Sequence, residues 1–166
     1  MGSEMCIRDR DYMVPENDED YVYVSQLVQA RGMRLGIEAH RRAKPYNMGT
    51  LYWQLNDCWP GISWSSIDYF GNWKALHYEA KEAFENILIS FKREGEQVDV
   101  YIINDLLKNL EKTLVLQLYD FKGNVLWSSS AAVEVDRNSS VLAQSFFVEN
   151  MGELDGNEVM LEAMYG

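Results

Sequence analysis

The period of the hydrophobic pattern changes once along this chain, and the change limits the folds that it can adopt. From Asp18 to about Lys44, apolar residues recur every three or four positions, which is typical of one face of an amphipathic helix. From Gln97 onward, apolar and polar residues alternate, as in half-buried strands. A chain of 166 residues with two such periods predicts two structural units. The boundary between them is expected within residues 88–94.

The first half has the order helix, strand, loop and helix. The first helix is predicted over residues 18–44, with Asp18 or Asp20 as its cap. The run Thr50–Leu55 predicts a short strand that is buried on both faces. A Cys-Trp-Pro-Gly break follows it, and a second helix is predicted over residues 73–86. This order is typical of an α/β fold with a parallel sheet.

The second half contains about six short segments of alternating polarity, separated by turn residues. They are residues 97–103, 112–119, 125–127, 132–135, 141–148 and 159–164. Strands at this spacing predict an antiparallel β-sandwich. At least one more strand would be needed for a seven-stranded immunoglobulin-like domain.

Charge and composition exclude several classes of function. The formal net charge is −11, so neither nucleic acid nor an anionic membrane is expected as a partner. No run approaches the roughly 18 apolar residues of a membrane span. Cys6 and Cys58 are too few for a disulfide framework. His40 and His77 have no second ligand at metal-binding spacing, so no metal or other cofactor is expected.

Five basic residues lie in the second half of the first helix or just after it. They are Arg31, Arg34, Arg41, Arg42 and Lys44. Because the helix macrodipole favours cations near the C-terminus, we interpret them as a solvated helix face. Gly32 and Gly36 lie in the same stretch. These glycines would let a neighbouring element approach the helix closely.

Both ends of the sequence suggest a fragment of a longer protein. Residues 1–10 have no period that continues into the first helix, which predicts a non-native or disordered leader. No apolar signal-peptide core follows Met1. At the other end, Val159–Gly166 stops within a strand-like run.

Aromatic residues concentrate the candidate chemistry in one segment. Four of the five tryptophans lie between Trp53 and Trp73. Flat aromatic faces match the C–H faces of sugar rings, and a few polar groups such as Asn56 and Asp57 would complete a small-molecule pocket. The alternative from composition alone is that these rings pack inside a loop-rich core.

Three runs carry a close resemblance to the end of the catalytic barrel of the β-mannosidases, retaining exo-glycosidases of the β-galactosidase-like superfamily. The runs are Gly49-Thr-Leu-Tyr-Trp-Gln-Leu-Asn-Asp-Cys-Trp-Pro60, Ser63-Trp-Ser-Ser-Ile-Asp-Tyr69 and Gly71-Asn-Trp-Lys-Ala-Leu-His-Tyr78. The resemblance covers residues 18–94 well and the remainder more loosely. It implies the terminal βα unit of a (β/α)8 barrel over residues 11–90. A truncated immunoglobulin-like β-sandwich over residues 91–166 would follow it.

The same resemblance implies four substrate-binding residues. Trp53 matches the tryptophan that the family places beneath the mannose in the −1 subsite, and Asn56, Asp57 and Trp59 match the surrounding motif and would shape the rim of the pocket. The implied substrate of the full-length parent is a terminal β-mannoside or manno-oligosaccharide. The implied setting is periplasmic, secreted or lysosome-like.

The chain departs from the family in its catalytic residues. Retaining glycosidases need two carboxyl groups about 5 Å apart, which the family supplies as glutamates after an asparagine and in a Ser-Glu-Phe/Tyr-Gly motif. Neither motif occurs here in that context, and the one Asn-Glu pair, Asn157-Glu158, lies in the sandwich half. We therefore expect no catalytic residue in this chain and no hydrolysis by the chain alone. The alternative is a non-catalytic carbohydrate-binding or interaction module.

Overall fold

The computed structural model describes Tyr12, residues 15–152 and residues 158–166. The described residues form two compact units. The first extends to His40 and resumes over residues 49–85, and the second comprises residues 41–48 and 86–166. The predicted leader, residues 1–10, lies outside the described residues. In the part of the chain that is described, no helix is long and apolar enough to cross a membrane.

Helix α1, Asp18–Arg42, begins at a side-chain cap. The backbone N–H of Asp20 donates to Oδ1 of Asn17 at 2.9 Å, and the first turn is acidic. Asn17, the residue before Asp18, therefore caps the helix. The prediction that Asp18 or Asp20 is the cap was wrong. Ala30 and Ile37 are buried on the inner side of the helix.

The two glycines of α1 lie in open space. A Cβ atom built on Gly32 or Gly36 would meet nothing within 4 Å. Nothing in the described part of the chain therefore approaches α1 closely at these positions, contrary to the prediction.

Helix α2, Ala75–Ala83, is shorter than the predicted helix over residues 73–86. Leu76 and Ala80 are buried and pack with Ala30 of α1 in a small apolar cluster. Leu88 lies on the continuation of the helical stripe in sequence, but it belongs to the following strand. The apolar i, i+4 repeat thus extends past the end of the real helix.

No strand ladder forms over Thr50–Leu55, so the prediction of a buried barrel strand was wrong. Leu51, Trp53 and Leu55 are exposed. A strand needs neighbours that accept and donate its backbone hydrogen bonds. The described residues supply two isolated bridges in this region, Asn56 to Ile67 and Ile67 to Trp73. A (β/α)8 barrel is accordingly not evident in this chain.

The second unit contains six strands in two antiparallel three-stranded sheets. The strands are β1 Ile87–Glu94, β2 Gln97–Asn104, β3 Leu110–Asp120, β4 Val125–Val135, β5 Ser139–Phe147 and β6 Val159–Tyr165. The sheets have the orders β1-β2-β5 and β4-β3-β6. A 3-10 helix, Val148–Met151, follows β5. The prediction of an antiparallel sandwich is confirmed in this coarse form.

The core of the second unit forms from the alternating apolar residues of these strands. Fully buried members include Val100, Ile102, Leu114, Leu116 and Val135. On β3, even-numbered residues from 110 to 118 are mostly buried while their odd neighbours are more exposed. The period of two in the sequence therefore corresponds to one buried face per strand.

Two details of the strand prediction were wrong. The predicted strands at residues 125–127 and 132–135 are one continuous strand, β4, which runs through Ser128-Ser-Ser130 and pairs with β3. Strand β1 was not predicted, because its residues continue the apolar stripe of α2. The total of six strands is therefore right, although its members differ.

Basic residues after His40 are not a solvated face. Arg41 is buried, and its Nη2 donates to Oδ2 of Asp105 at 2.9 Å. Lys44 Nζ donates to the other oxygen of the same carboxylate and to Oδ1 of Asn138. The charges of this segment are therefore neutralised inside the second unit, and that part of the interpretation was wrong.

Two tight turns of the chain share one hydrogen-bond pattern. In the first unit, Oδ1 of Asp68 accepts from the backbone N–H groups of residues 70 and 72, at 2.9 and 2.8 Å. In the second, Oδ1 of Asp120 accepts from residues 122 and 124 at the same two distances. Gly71 and Gly123 both have φ of 87°, a conformation that favours glycine.

Candidate functional site

Exposed tryptophans dominate the segment between α1 and α2. Trp53 is 76% exposed, Trp59 is 73% exposed and Trp64 is 61% exposed. The alternative prediction, in which these aromatics pack inside a core, does not hold for these three rings in the first unit.

Beneath this exposed segment lies a set of buried or half-buried polar residues. We call it the polar cluster, and it consists of Asp57, Ser63, Ser65 and Lys74. Ser63 Oγ donates to Oδ1 of Asp57 at 2.6 Å, and Ser65 Oγ donates to Oδ2 at 2.8 Å. Lys74 Nζ donates to Ser65 Oγ at 2.9 Å and lies 3.3 Å from both Asp57 Oδ2 and Ser63 Oγ. Every member therefore makes at least two hydrogen bonds or close polar contacts within the cluster.

The electrostatics of the polar cluster keep the carboxylate ionised. The hydroxyls of Ser63 and Ser65 and the ammonium of Lys74 hold the pKa of Asp57 below its ordinary value. A carboxyl group of this kind is a poor general acid at neutral pH. Asp57 is thus suited to holding structure rather than to transferring protons.

A second polar network joins the segment to α2. The hydroxyl of Ser66 lies 3.0 Å from that of Tyr52 and 3.1 Å from Nδ1 of His77, and it donates to the carbonyl oxygen of Leu55 at 2.9 Å. The ring of Trp73 contacts the His77 ring edge-on, with centroids 4.3 Å apart. His77 therefore has a defined structural environment in the first unit.

The four predicted substrate-binding residues have different environments. Trp53 and Trp59 are exposed, as a stacking role requires, and the peptide between Trp53 and Gln54 is cis. Asn56 is exposed, and its Nδ2 donates to the carbonyl oxygen of Asp57 at 3.2 Å. Asp57 itself is buried in the polar cluster. The structure thus presents three of the four on the surface and places the fourth beneath them.

A groove in the first unit was not predicted from sequence. It has a volume of about 590 Å³ and is lined by residues of α1 and α2, with Tyr23, Trp73 and Tyr78 among its aromatic members. Arg34 lies in its wall and donates to Glu38 at 2.8 Å and to Glu79 at 2.6 Å. None of the four predicted site residues lines this groove. Its aromatic members come from separate elements, so no local motif indicates it.

The described residues do not assemble a metal centre. Within Tyr12, residues 15–152 and residues 158–166, no group of three or more His, Cys, Asp or Glu side chains could hold a metal ion. Cys58 is a free, exposed thiol next to the polar cluster.

Comparison with known proteins gives one family model and a set of curated relatives. Residues 96–165 match the Mannosidase Ig/CBM-like domain. Beta-mannosidase of Mus musculus is 35% identical over 135 residues, which cover 76% of this chain and 15% of that protein. Beta-mannosidase A of Aspergillus terreus is 32% identical over 123 residues, which cover 68% of this chain and 13% of that protein. The chain thus spans about one seventh of the length of these relatives.

Two solved structures are similar over most of the chain. The beta-D-mannosidase of Dictyoglomus thermophilum matches with a TM-score of 0.83 and 29% identity, over 95% of this chain and 20% of that one. The exo-chitosanase of Amycolatopsis orientalis matches with a TM-score of 0.65 and 21% identity, over 90% of this chain and 20% of that one. The second likeness concerns the fold alone.

Proposed function

We propose that this chain, a relative of the β-mannosidases that carries a Mannosidase Ig/CBM-like domain over residues 96–165, supplies one wall of a saccharide-binding pocket in a longer glycoside hydrolase. That hydrolase would cleave terminal, non-reducing β-D-mannose residues with retention of configuration. In this proposal the first unit carries the substrate contacts, and the second is the accessory β-sandwich.

The exposed tryptophan face carries the proposal. Trp53 and Trp59 are exposed, and so is Asn56, which lies between them in sequence; saccharide sites use this combination of flat apolar surface and few polar groups. The resemblance of this same segment to β-mannosidases agrees with a role beneath and around a mannose ring.

The chain alone should not hydrolyse mannosides. Retaining hydrolysis needs a nucleophilic carboxylate and an acid/base carboxyl about 5 Å apart. The carboxylate of Asp57 is the one predicted in the site, and its oxygens are bound by two serines and by Lys74. The pure chain is expected to release no nitrophenol from an aryl β-mannoside above the rate of the buffer.

The decisive experiment begins with the DNA upstream of the codon for Asp11. An open frame that encodes an Asn-Glu and a Ser-Glu-Phe/Tyr-Gly motif would give a full-length protein to express. In that protein, Trp53→Ala should lower kcat/KM for an aryl β-mannoside by about tenfold, the equivalent of a lost stacking contact. Trp127→Phe, in the second unit, is the matched control and should change it little. Equal kcat/KM for the two variants would contradict the proposal.

The second candidate function is a non-catalytic carbohydrate-binding module. The accessibility of three indoles in the chain as it stands favours it. A titration of the isolated chain with mannose, followed by tryptophan fluorescence, separates the two. Submillimolar binding supports the module. No binding supports the pocket-wall proposal, in which the other walls are needed.

A further inference from the structure

We propose that the polar cluster is a positioning device: it fixes the loop of residues 58–62 and Trp64, and thereby sets the placement of the Trp59 and Trp64 rings. Lys74 is its key positioning residue. The relevance of this ring placement to a bound saccharide rests on the proposed function. The test measures the loop itself and uses no saccharide.

The loop has no apolar anchor of its own. All five of its residues, from Cys58 to Ile62, are exposed, and Trp59 and Ile62 bury little of their surface. Hydrophobic burial therefore contributes little to its order. Fixing a residue in one conformation costs roughly 1–2 kcal/mol, so some other interaction must hold the loop.

The polar cluster closes the loop at its base. Asp57 immediately precedes the loop, Ser63 immediately follows it, and Ser65 lies two residues further on. The two carboxylate oxygens of Asp57 each accept from a different serine on the far side of the loop. Backbone bonds continue the closure, because the N–H of Asp57 donates to the carbonyl of Ile67 at 3.1 Å.

Lys74 extends the closure to the residue before α2. Its ammonium contacts Asp57 Oδ2 and both serine hydroxyls, and its side chain is mostly buried. The backbone N–H of Lys74 also donates to the carbonyl of Ser66 at 2.9 Å. One residue thus connects the base of the loop to the rigid start of a helix.

The alternative interpretation of this geometry is a catalytic pair formed by Ser65 and Lys74. Ser65 is fully buried, and its hydroxyl lies 2.8 Å from Asp57 Oδ2 and 2.9 Å from the carbonyl oxygen of Ile67. A nucleophile must reach its substrate, and the lysine that would activate it must be neutral. Here Lys74 is held in an ion pair with Asp57, its Nζ 3.3 Å from Oδ2. The arrangement is therefore structural.

The test uses the full chain labelled with 5-fluorotryptophan, so that each of the five tryptophans gives a ¹⁹F resonance. Resonances are assigned with single Trp→Phe variants. Lys74→Met removes the ammonium and keeps the aliphatic stem. We expect slower ¹⁹F transverse relaxation for Trp59 and Trp64, because a mobile loop narrows their lines, and no change for Trp127. Lys81→Met, an exposed lysine of α2, is the matched control.

A second pair of variants decides the outcome if Lys74→Met loses its helical circular dichroism. Ser63→Ala deletes one hydroxyl that Asp57 accepts, and Ser63→Thr keeps it at a half-buried position. Slower relaxation of Trp59 and Trp64 in Ser63→Ala, with the unchanged value in Ser63→Thr, supports the proposal. Unchanged relaxation in folded Lys74→Met, or in Ser63→Ala, overturns it. A failure of the proposed function would instead appear in the mannoside assays and leave these relaxation rates as expected.

Discussion

The two units of this chain differ in how many of their large apolar residues are buried in one core. The second unit gathers the alternating residues of six strands into one buried cluster that includes Leu114, Leu116 and Phe146. In the described part of the first unit, the buried cluster consists of Ala30, Leu76 and Ala80, and indoles face outward. In the second unit, this buried apolar surface therefore stabilises the fold. The first leaves its apolar surface available for contact.

Polar interactions carry more of the structure where apolar burial is small. The first unit contains the polar cluster and the contacts of Arg34 with Glu38 and Glu79. Such contacts depend on direction and partner, whereas hydrophobic burial depends mainly on area. The comparison therefore predicts that the two units will respond differently to substitution and to pH.

The largest effect is expected for a buried leucine of the second unit, and an exposed leucine of the first unit is its control. Leu116→Ala removes a fully buried side chain from β3 and should lower the free energy of unfolding by about 3 kcal/mol. Leu51→Ala, at a position that is 97% exposed, should change it by about 0.5 kcal/mol or less. Urea unfolding followed by circular dichroism measures both. Similar losses for the two variants would remove the contrast between the units.

A smaller effect is expected for the one polar anchor of the second unit described above. Asp105→Ala withdraws the carboxylate that Arg41 and Lys44 share, and both cations are buried. The loss in unfolding free energy should be about 2 kcal/mol, since removing one partner of a buried ion pair is costly. Glu96→Ala, which removes the exposed partner of Arg93, is the control and should cost less than about 0.5 kcal/mol. Equal losses for Asp105→Ala and Glu96→Ala would show that the ion pairs of Asp105 contribute no more than an exposed surface ion pair does.

The smallest effect concerns pH and the polar cluster. Because the folded-state pKa of Asp57 is lowered, its contribution to stability is complete above the unfolded-state value of about 3.9. The contribution is lost as the pH falls through the lower folded-state value. Carboxyl ¹³C NMR should therefore give an Asp57 titration midpoint below 3.9, and Asp57→Asn should flatten this part of the stability profile. A midpoint at or above that value would contradict the role of the serine hydroxyls.

Local patterns predicted the elements whose own hydrophobic period is clear in the sequence. Helix α1 follows from its apolar spacing, and β2 and β3 follow from alternation. Strand β1 was hidden because Leu88 continues the i, i+4 stripe of Leu76 and Ala80 past the end of α2. Strand β4 was predicted as two separate strands because its run of serines resembles a turn.

Features that depend on distant residues could not be predicted in the same way. Thr50–Leu55 has the composition of a buried strand, yet a ladder requires neighbours that this pattern does not specify. The burial of Asp57 depends on how residues 63–74 fold over it, so the sequence indicated its importance without its environment. The neutralisation of Arg41 and Lys44 likewise depends on Asp105, about sixty positions away.

Each of the two Asp-x-x-Gly-Asn turns is closed by hydrogen bonds among its own five residues. Each closes with the aspartate N–H and carbonyl bonded to the residues four and three positions on, and the asparagine amide binds the aspartate at 2.9 and 2.8 Å. The second and third side chains take no part in these bonds. They are Tyr69-Phe70 in one turn and Phe121-Lys122 in the other. A fluorophore, an affinity handle or a cross-linker could therefore be installed at either tip while the five-residue frame closes unaided.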